Sequence, residues 1–467
     1  MTSGCCLAQM SVGVAAGHPA TVAAGVEILQ EGGTAADAAV AATVASCVAE
    51  TVMTGLAGGG HAIHWDAQGA TAELLDFFVA VPGRGGGPAA DMVAVDIPFG
   101  SVPVRYLIGA ASVGVPGVPA GCDALWRRWG RLPWFRIVEP ALRLATHGVA
   151  MPPAHADCLA MLSPVLTRHE GAGIYAPRGR TLQTGERLHQ PGLVHALEAL
   201  IHEGPATFYG GSVGEAMLDL LDQRGGALTR ADLDAYQVEW HQPDRVGYAG
   251  LHVLTRRGLC TVLDTLQRLP GMAGLDPAGR ALAMAEALGG DSRIADTTNV
   301  VTTDAAGNAC VVTTSLGLGS GDWLPGYDIH LNSMLGEVDL GRPRPGERMG
   351  SMMAPTVAVD DNGLVLAAGA AGGSRIRSAL VQVLAAILDE GVAPREAVER
   401  SRLHRVGDIV HAEPGMADSA LEGLEHAGFQ VRRWPGRHHY FGGVSVVGRA
   451  GAAGDPRRDG AAATLPP

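Results

Sequence analysis

The chain contains no lysine, so all 34 of its basic side chains are arginines. Aromatic residues are scarce, at 4%. The seven cysteines (Cys5, Cys6, Cys47, Cys122, Cys158, Cys260 and Cys310) are scattered, and none has C-x-x-C or zinc-type Cys/His spacing. That excludes the common structural zinc modules, and an odd, dispersed set reads as free thiols in a reducing, cytoplasmic setting. No window holds the roughly 18 or more apolar residues of a membrane span. Ala35 to Val48 is broken by Asp37 and reads as a buried helix. Met1 to Val12 lacks a basic segment followed by a long apolar one, so no export signal is evident. Acidic residues outnumber basic ones, 47 to 34, for a net charge of −13 and an isoelectric point near 5.7. That balance argues against nucleic acid or an anionic membrane as a partner.

What the chain does have is core-forming material. It has 467 residues, 47% of them hydrophobic, with a mean hydropathy of +0.16. Length alone suggests two or three domains, although layered α/β enzymes use as many residues in one unit. The 66 glycines and 28 prolines lie between apolar runs and so read as tight turns rather than disorder. Apolar periodicity predicts helices over Pro19 to Gln30 and, capped by Thr34, over Thr34 to Ala49. Further helices are expected at Ala120 to Trp129, Trp134 to His147, Pro191 to Glu203, Val213 to Arg224 and Ala281 to Ala287. His61 to Asp66 and Glu73 to Phe78 read as a hairpin, followed by a Pro/Gly-rich loop, Pro82 to Ala89.

From Asn299 the pattern changes to strands. Val300 to Thr303 and Ala309 to Ser315 flank the turn Asp304 to Asn308; Met353 to Val359 and Leu364 to Ala368 flank Asp360 to Gly363. Helices over Ile376 to Leu388 and Pro394 to Ser401 follow, and the Ala/Gly/Arg/Pro-rich tail from Arg449 reads as a frayed end. Val/Thr/Ala-rich strands backed by apolar helices imply sheet layers covered on the outside by helices.

Two glycine clusters, Gly55 to Gly60 and Gly369 to Ser374, lack a Walker lysine and the full dinucleotide-binding context, which argues against nucleotide binding. Gly372-Gly373 has two readings: consecutive N–H groups forming an oxyanion hole, or a tight strand-to-helix turn. Asp296-Thr297-Thr298 also has two. A Thr-Thr pair before a strand is usually β-propensity. A threonine at a chain's N-terminus, however, has its own α-amine (pKa roughly 7.7–8.0) to take the hydroxyl proton.

Spaced segments decide between them. These are Gly25-Val26-Glu27-Ile28-Leu29 with Gly32 to Ala41, Thr54 to Gly60, Val115-Pro116-Gly117, Gly130 to Trp134 with Glu139-Pro140-Ala141, Phe208 to Gly211, and Leu228 to Leu233. The second half adds Thr297-Thr298-Asn299 through Asp304, Gly307-Asn308-Ala309, Thr313 to Ser315, Leu331-Asn332, Met353 to Thr356, and Gly372 to Ile376. In this order, over roughly residues 12 to 447, they resemble the γ-glutamyltranspeptidases.

The resemblance implies an α/β fold, the four-layer αββα sandwich of self-processing N-terminal-nucleophile (Ntn) hydrolases. It implies cleavage between Asp296 and Thr297 into a large subunit, 1–296, and a small one, 297–467, that stay associated in one intertwined fold. Thr297 becomes the nucleophile. Ser315 takes the place of a threonine that hydrogen-bonds it, and Gly372 and Gly373 supply the oxyanion donors. Further pairing of such heterodimers is left open. The partner implied is a small-molecule substrate, and no cofactor or metal is expected.

The pocket departs from the family pattern. Where the family carries the arginine that holds the glutamyl α-carboxylate, Asp76-Phe77-Phe78-Val79 has Phe78. A lost charge-assisted hydrogen bond of that kind removes roughly 1.5–3 kcal/mol. An asparagine of the family becomes Gly317, a polar residue becomes Met334, and one of two adjacent serines becomes Met352, leaving Ser351. Glu337 stands for the aspartate that receives the substrate amine. Arg84 or Arg105 is the alternative source of a guanidinium.

The segment before the cut is short, Leu288 to Asp296, and the family's Ser-Ser-Gly-Gly loop is unrecognisable near Gly258. A more apolar pocket with one acid points to a small amino-acid-derived metabolite rather than glutathione. It is similar to the transpeptidase-like proteins of alkylproline antibiotic pathways, for which C–C bond hydrolysis is expected. The alternatives are γ-glutamyl amide hydrolysis or transfer, and an inactive paralogue that binds a metabolite.

Overall fold

The computed structural model describes residues 10–86, 90–99, 102–289, 297–337, 341 and 343–466. Asp296, Cys5, Cys6 and residues 87–89 of the Pro/Gly-rich loop lie outside them. After a first strand, β1 (Val12–Ala16), helix α1 (Pro19–Gln30) opens with its proline in the first turn, where a missing N–H costs nothing. In α2 (Ala35–Ala49) every residue is buried. Its start is secured by a capping box: Asp37 N donates to Thr34 Oγ1 (3.1 Å), and Thr34 N to the Asp37 carboxylate (3.0 Å). The same carboxylate accepts from Arg131 N (2.9 Å), which ties α2 to the loop between α3 (Val118–Trp129) and α4 (Trp134–His147).

Thirteen of the strands build two packed sheets. The first takes β1, β2 (Gly59–Asp66), β3 (Thr71–Phe77), β4 (Glu239–His241), β7 (Thr298–Thr303), β8 (Ala309–Ser315) and β13 (Ala461–Leu465), ordered β13-β1-β7-β8-β2-β3-β4. The second takes β5 (Asp244–Tyr248), β6 (Leu251–Thr255), β9 (Thr356–Asp360), β10 (Gly363–Ala371), β11 (Gly443–Gly448) and β12 (Gly451–Ala453), ordered β12-β11-β10-β9-β6-β5. Both sheets draw strands from either side of residue 297, so neither half of the chain completes a sheet alone.

Apolar layers explain the stacking. Between the sheets, Ala15, Ile63, Val301 and Val311 meet Val357, Ala367 and Val447. Outside the first sheet, Ala39, Val40 and Val44 of α2 pack on Ala62, Leu75 and Val312. Outside the second, α5 (Val262–Arg268), α6 (Pro277–Ala287) and α7 (Arg375–Leu388) pack on Val253, Leu366 and Val446. Each fully buried aliphatic side chain contributes about 1.5–3 kcal/mol. The result is the expected four-layer αββα sandwich.

Three expectations are corrected. The tail is ordered: β13 pairs antiparallel with β1, and Arg457 is buried in ion pairs with Glu413 and Asp455. Its Ala/Gly/Arg/Pro composition hid arginines that are neutralised inside the protein. β9 begins at Thr356 rather than Met353, because Pro355 has no N–H for a ladder. Strands also appear where none was expected, at β1 and in a hairpin of Val93–Phe99 with Val102–Ile108.

Among the described residues the cysteines, all buried, form no disulfide, and no His/Cys/Asp/Glu cluster has metal-binding geometry. No described helix is long and apolar enough to cross a membrane.

Candidate active site

Strand register places the first site residues. β7 pairs with β8 so that Thr298 faces Thr314; one step further, at the head of β7, is Thr297, 2% exposed. Ser315 ends β8 beside Gly59 and accepts a hydrogen bond from Gly317 N through its Oγ (3.0 Å). The turn Asp304 to Asn308 holds this hairpin against α2: Asp304 accepts from Ala35 N (2.9 Å) and from Asn308 N (3.0 Å).

β10 delivers the glycines. Gly372 (φ +119°) and Gly373 (φ +59°) occupy backbone that L side chains rarely adopt, so the strand can turn at once into α7. Arg375 N donates to Gly372 O and Ile376 N to Gly373 O, both at 3.0 Å. The tight-turn reading is therefore correct. It does not exclude the other, because Gly373 also lines the cavity beside Thr297.

That cavity has a volume of about 20 Å³ and is walled by Phe78, Thr297, Ser315, Met334, Glu337, Ser351, Met352, Met353, Gly373 and Ile376. Most residues singled out in the sequence meet here, although they span 78 to 373. Among the described residues Glu337 is the one charged side chain on the wall, amid an aromatic ring, three methionines and an isoleucine. Gly317 (φ +67°) stands behind Glu337: a Cβ there would come within 2.7 Å of its carboxylate. Gly372 lies a step behind Gly373, against Gly442 and Arg458.

Among the described residues no arginine lines the cavity. Arg105 is exposed and pairs with Asp96 (3.5 Å), while Arg84 lines a different cleft with Asp232 and Tyr236. Phe78 is firmly held: its N–H donates to Asp76 Oδ1 (2.8 Å), its carbonyl accepts from Tyr236 Oη (2.9 Å), and its ring stacks on His61 at 5.5 Å.

Sequence reasoning missed the groups beneath Thr297. Glu50, 1% exposed, accepts from Thr21 Oγ1 (2.6 Å) and from Thr298 Oγ1; Arg458 donates to Thr297 O (3.3 Å). An acid ending an otherwise apolar helix was the one available signal for Glu50. Arg458 lies in the tail taken for a frayed end.

Burial pushes the Glu50 carboxyl up to about 7, against the opposing pull of Thr21, Thr298 and Arg458. A folded-state value above the unfolded one means the neutral acid is favoured, so stability is full below about pH 4.5 and is lost as pH rises through 7. The loss is about 3 kcal/mol. Thermal midpoints of wild type and Glu50→Gln, scanned from pH 4 to 8, should diverge as the wild type weakens; parallel curves would refute this role.

Two sheets packed face to face between outer helices, with strands from both halves of the chain in each sheet, are the fold of the Ntn hydrolases. The chain belongs to the gamma-glutamyltranspeptidase family, whose profile matches residues 21–288 and 280–465, and it is an enzyme of that hydrolase class. Among its relatives, the acylase ACY 1 proenzyme of Pseudomonas sp. (strain V22) is 29% identical over 93% of this chain and 89% of its own. The glutathione hydrolase proenzyme of Escherichia coli (strain K12) is 27% identical over 87% and 83%. In fold, cephalosporin acylase from Bacillus halodurans superimposes with a TM-score of 0.82 at 22% identity, covering 97% of this chain and 96% of that one. LmbA2991 does so with a TM-score of 0.80 at 20% identity, covering 97% and 98%.

Proposed function

We propose that the chain cuts itself between Asp296 and Thr297, and that the freed Thr297 hydrolyses a small amino-acid-derived metabolite not recognised through a glutamyl α-carboxylate. The observation that carries this is the shared cavity: Thr297 with Ser315, Ser351, Gly373 and Glu337 inside an otherwise apolar wall that includes Phe78.

In the precursor, Thr297 Oγ attacks the Asp296 carbonyl carbon, the C–N bond breaks, and the amine takes a proton, leaving an ester. Water then releases the Asp296 carboxylate and regenerates the hydroxyl. In the mature enzyme the Thr297 α-amine accepts the hydroxyl proton as Oγ attacks the substrate carbonyl. Gly372 and Gly373 N–H groups receive the oxyanion, each worth about 2.7–4 kcal/mol in the transition state. The amine returns the proton to the leaving group, and water hydrolyses the acyl-enzyme. Glu337 takes the substrate amine, and Ser315 orients Oγ.

Two relatives bear names of proenzymes, which supports the self-cleavage. The apolar wall favours a second reading of the same step. A carbon leaving group, as in C–C hydrolysis of a conjugated keto substrate of alkylproline biosynthesis, suits Phe78 and the methionines better than a charged amine does. Mature enzyme offered γ-glutamyl-p-nitroanilide should release essentially no p-nitroaniline. Turnover at rates typical of an enzyme, about 1 s⁻¹ or more, would return it to γ-glutamyl chemistry.

A further inference from the structure

The cavity of Thr297, about 20 Å³, is too small for a whole substrate. Beside it lies an open cleft of about 320 Å³, and Met352 and Gly373 are walls of both. That is the size range of small-molecule sites.

The cleft is built differently from the inner cavity. Its lining includes Arg268, Arg377, Thr261 and Ser374. Arg377, half-buried, donates to Leu288 O (2.8 Å) and Thr261 Oγ1 (3.3 Å); Arg268 donates to Ala287 O (2.9 Å) and Thr265 Oγ1 (3.4 Å). Among the described residues neither guanidinium has a carboxylate within 4.0 Å. Asp264, also on the wall, is engaged by Arg257 (2.8 Å). Burial, and then the neighbouring charge of Arg268, lower the pKa of Arg377. Both guanidinium groups line the one cleft, Arg268 exposed and Arg377 half-buried, so an anion there would meet both positive charges.

Two local features point the same way. Thr261 sits at φ +44°, a strained conformation for a β-branched residue of the kind that clusters at ligand sites. Ser374, the N-cap of the 14-residue α7, brings the positive end of that helix to the cleft.

We propose that this cleft is an anion subsite, in which Arg377 and Arg268 hold a carboxylate of the substrate while its reacting carbonyl enters the cavity of Thr297. The proposal rests on the reading of Thr297 as nucleophile. It makes the substrate an acid whose carboxylate is recognised in the outer cleft instead of at Phe78. Guanidinium forks suit a carboxylate, and Leu259 and Met352 flank the connecting carbon chain.

Calorimetric titration of the purified protein with the dicarboxylates succinate, glutarate, adipate and suberate, beside neutral adipamide, tests this. At least one dicarboxylate should bind ten-fold or more tighter than adipamide. Arg377→Gln and, separately, Arg268→Gln should each lose ten-fold or more for that acid while adipamide stays unchanged, and Arg377→Lys should recover part of the loss. Absence of dicarboxylate binding by the wild type, or binding equal in wild type and both glutamine variants, overturns the subsite. Denaturing electrophoresis of the same samples reports self-cleavage separately, so an uncut chain that still binds acids through the arginines counts against the nucleophile and not the cleft.

Discussion

Replacing Thr297 by alanine should leave the chain whole at 47.9 kDa, where the wild type should separate on denaturing electrophoresis into residues 1–296 and 297–467. The expectation follows from where the bond lies. Thr297 heads β7, in the middle of the first sheet, with its side chain in the cavity of Gly373 and its carbonyl held by Arg458. Alanine keeps Cβ and removes the hydroxyl together with one methyl group, a small loss of buried volume, so the fold should survive while the attack on Asp296 does not occur. Turnover should vanish with it, because an uncut chain has no α-amine at residue 297 to accept a proton.

A Thr297→Ser variant retains a hydroxyl and should still cut, more slowly. Intact mass spectrometry of wild type, alanine and serine variants after purification distinguishes the cases. An alanine variant that cuts as the wild type does would remove Thr297 from the mechanism. A wild type that stays whole would favour the metabolite-binding paralogue.

The second large effect is on stability. Arg457→Ala should cost about 3–5 kcal/mol, because it breaks a buried ionic cluster from one side. Arg457 bonds to Glu413 (2.7 Å from Nε) and Asp455 (3.2 Å), and Asp455 also pairs with Arg402 at 2.6 Å. Two arginines face two carboxylates, all at 5% exposure or less. Removing one guanidinium leaves two buried acids against one base.

The cluster anchors the turn that leads into β13, the edge strand paired with β1, and the neighbouring Arg458 touches Thr297 O. The thermal midpoint of Arg457→Ala should fall by several degrees. Arg457→Lys should rescue little, since an ammonium cannot fork across both acids. By contrast, Arg395→Ala, which removes an exposed pair with Glu399, should leave the midpoint in place. Equal midpoints for the two alanine variants would refute the assignment of stability to the buried cluster.

Local patterns of the sequence determined much of this protein. Helix α1 runs over Pro19–Gln30 as expected, and the capping residue Thr34, the turn Asp304 to Asn308 and strand β8 fall where propensity and capping put them. These features involve neighbours a few residues apart, whose energies do not depend on the rest of the chain. The family's spaced motifs carried the αββα fold and nominated most of the residues that wall the Thr297 cavity.

What the sequence left undetermined are contacts between distant segments. Glu50 and Thr298 are 248 residues apart, and Thr297 and Arg458 161 apart. Whether an Arg/Ala/Gly-rich tail frays or becomes a sheet edge depends on acids at 413 and 455 that only folding brings to it. The same holds for the cleft of Arg268 and Arg377, one on α5 and the other on α7. A guanidinium's charge is visible in the sequence, but whether a carboxylate comes to lie beside it is a property of three-dimensional packing.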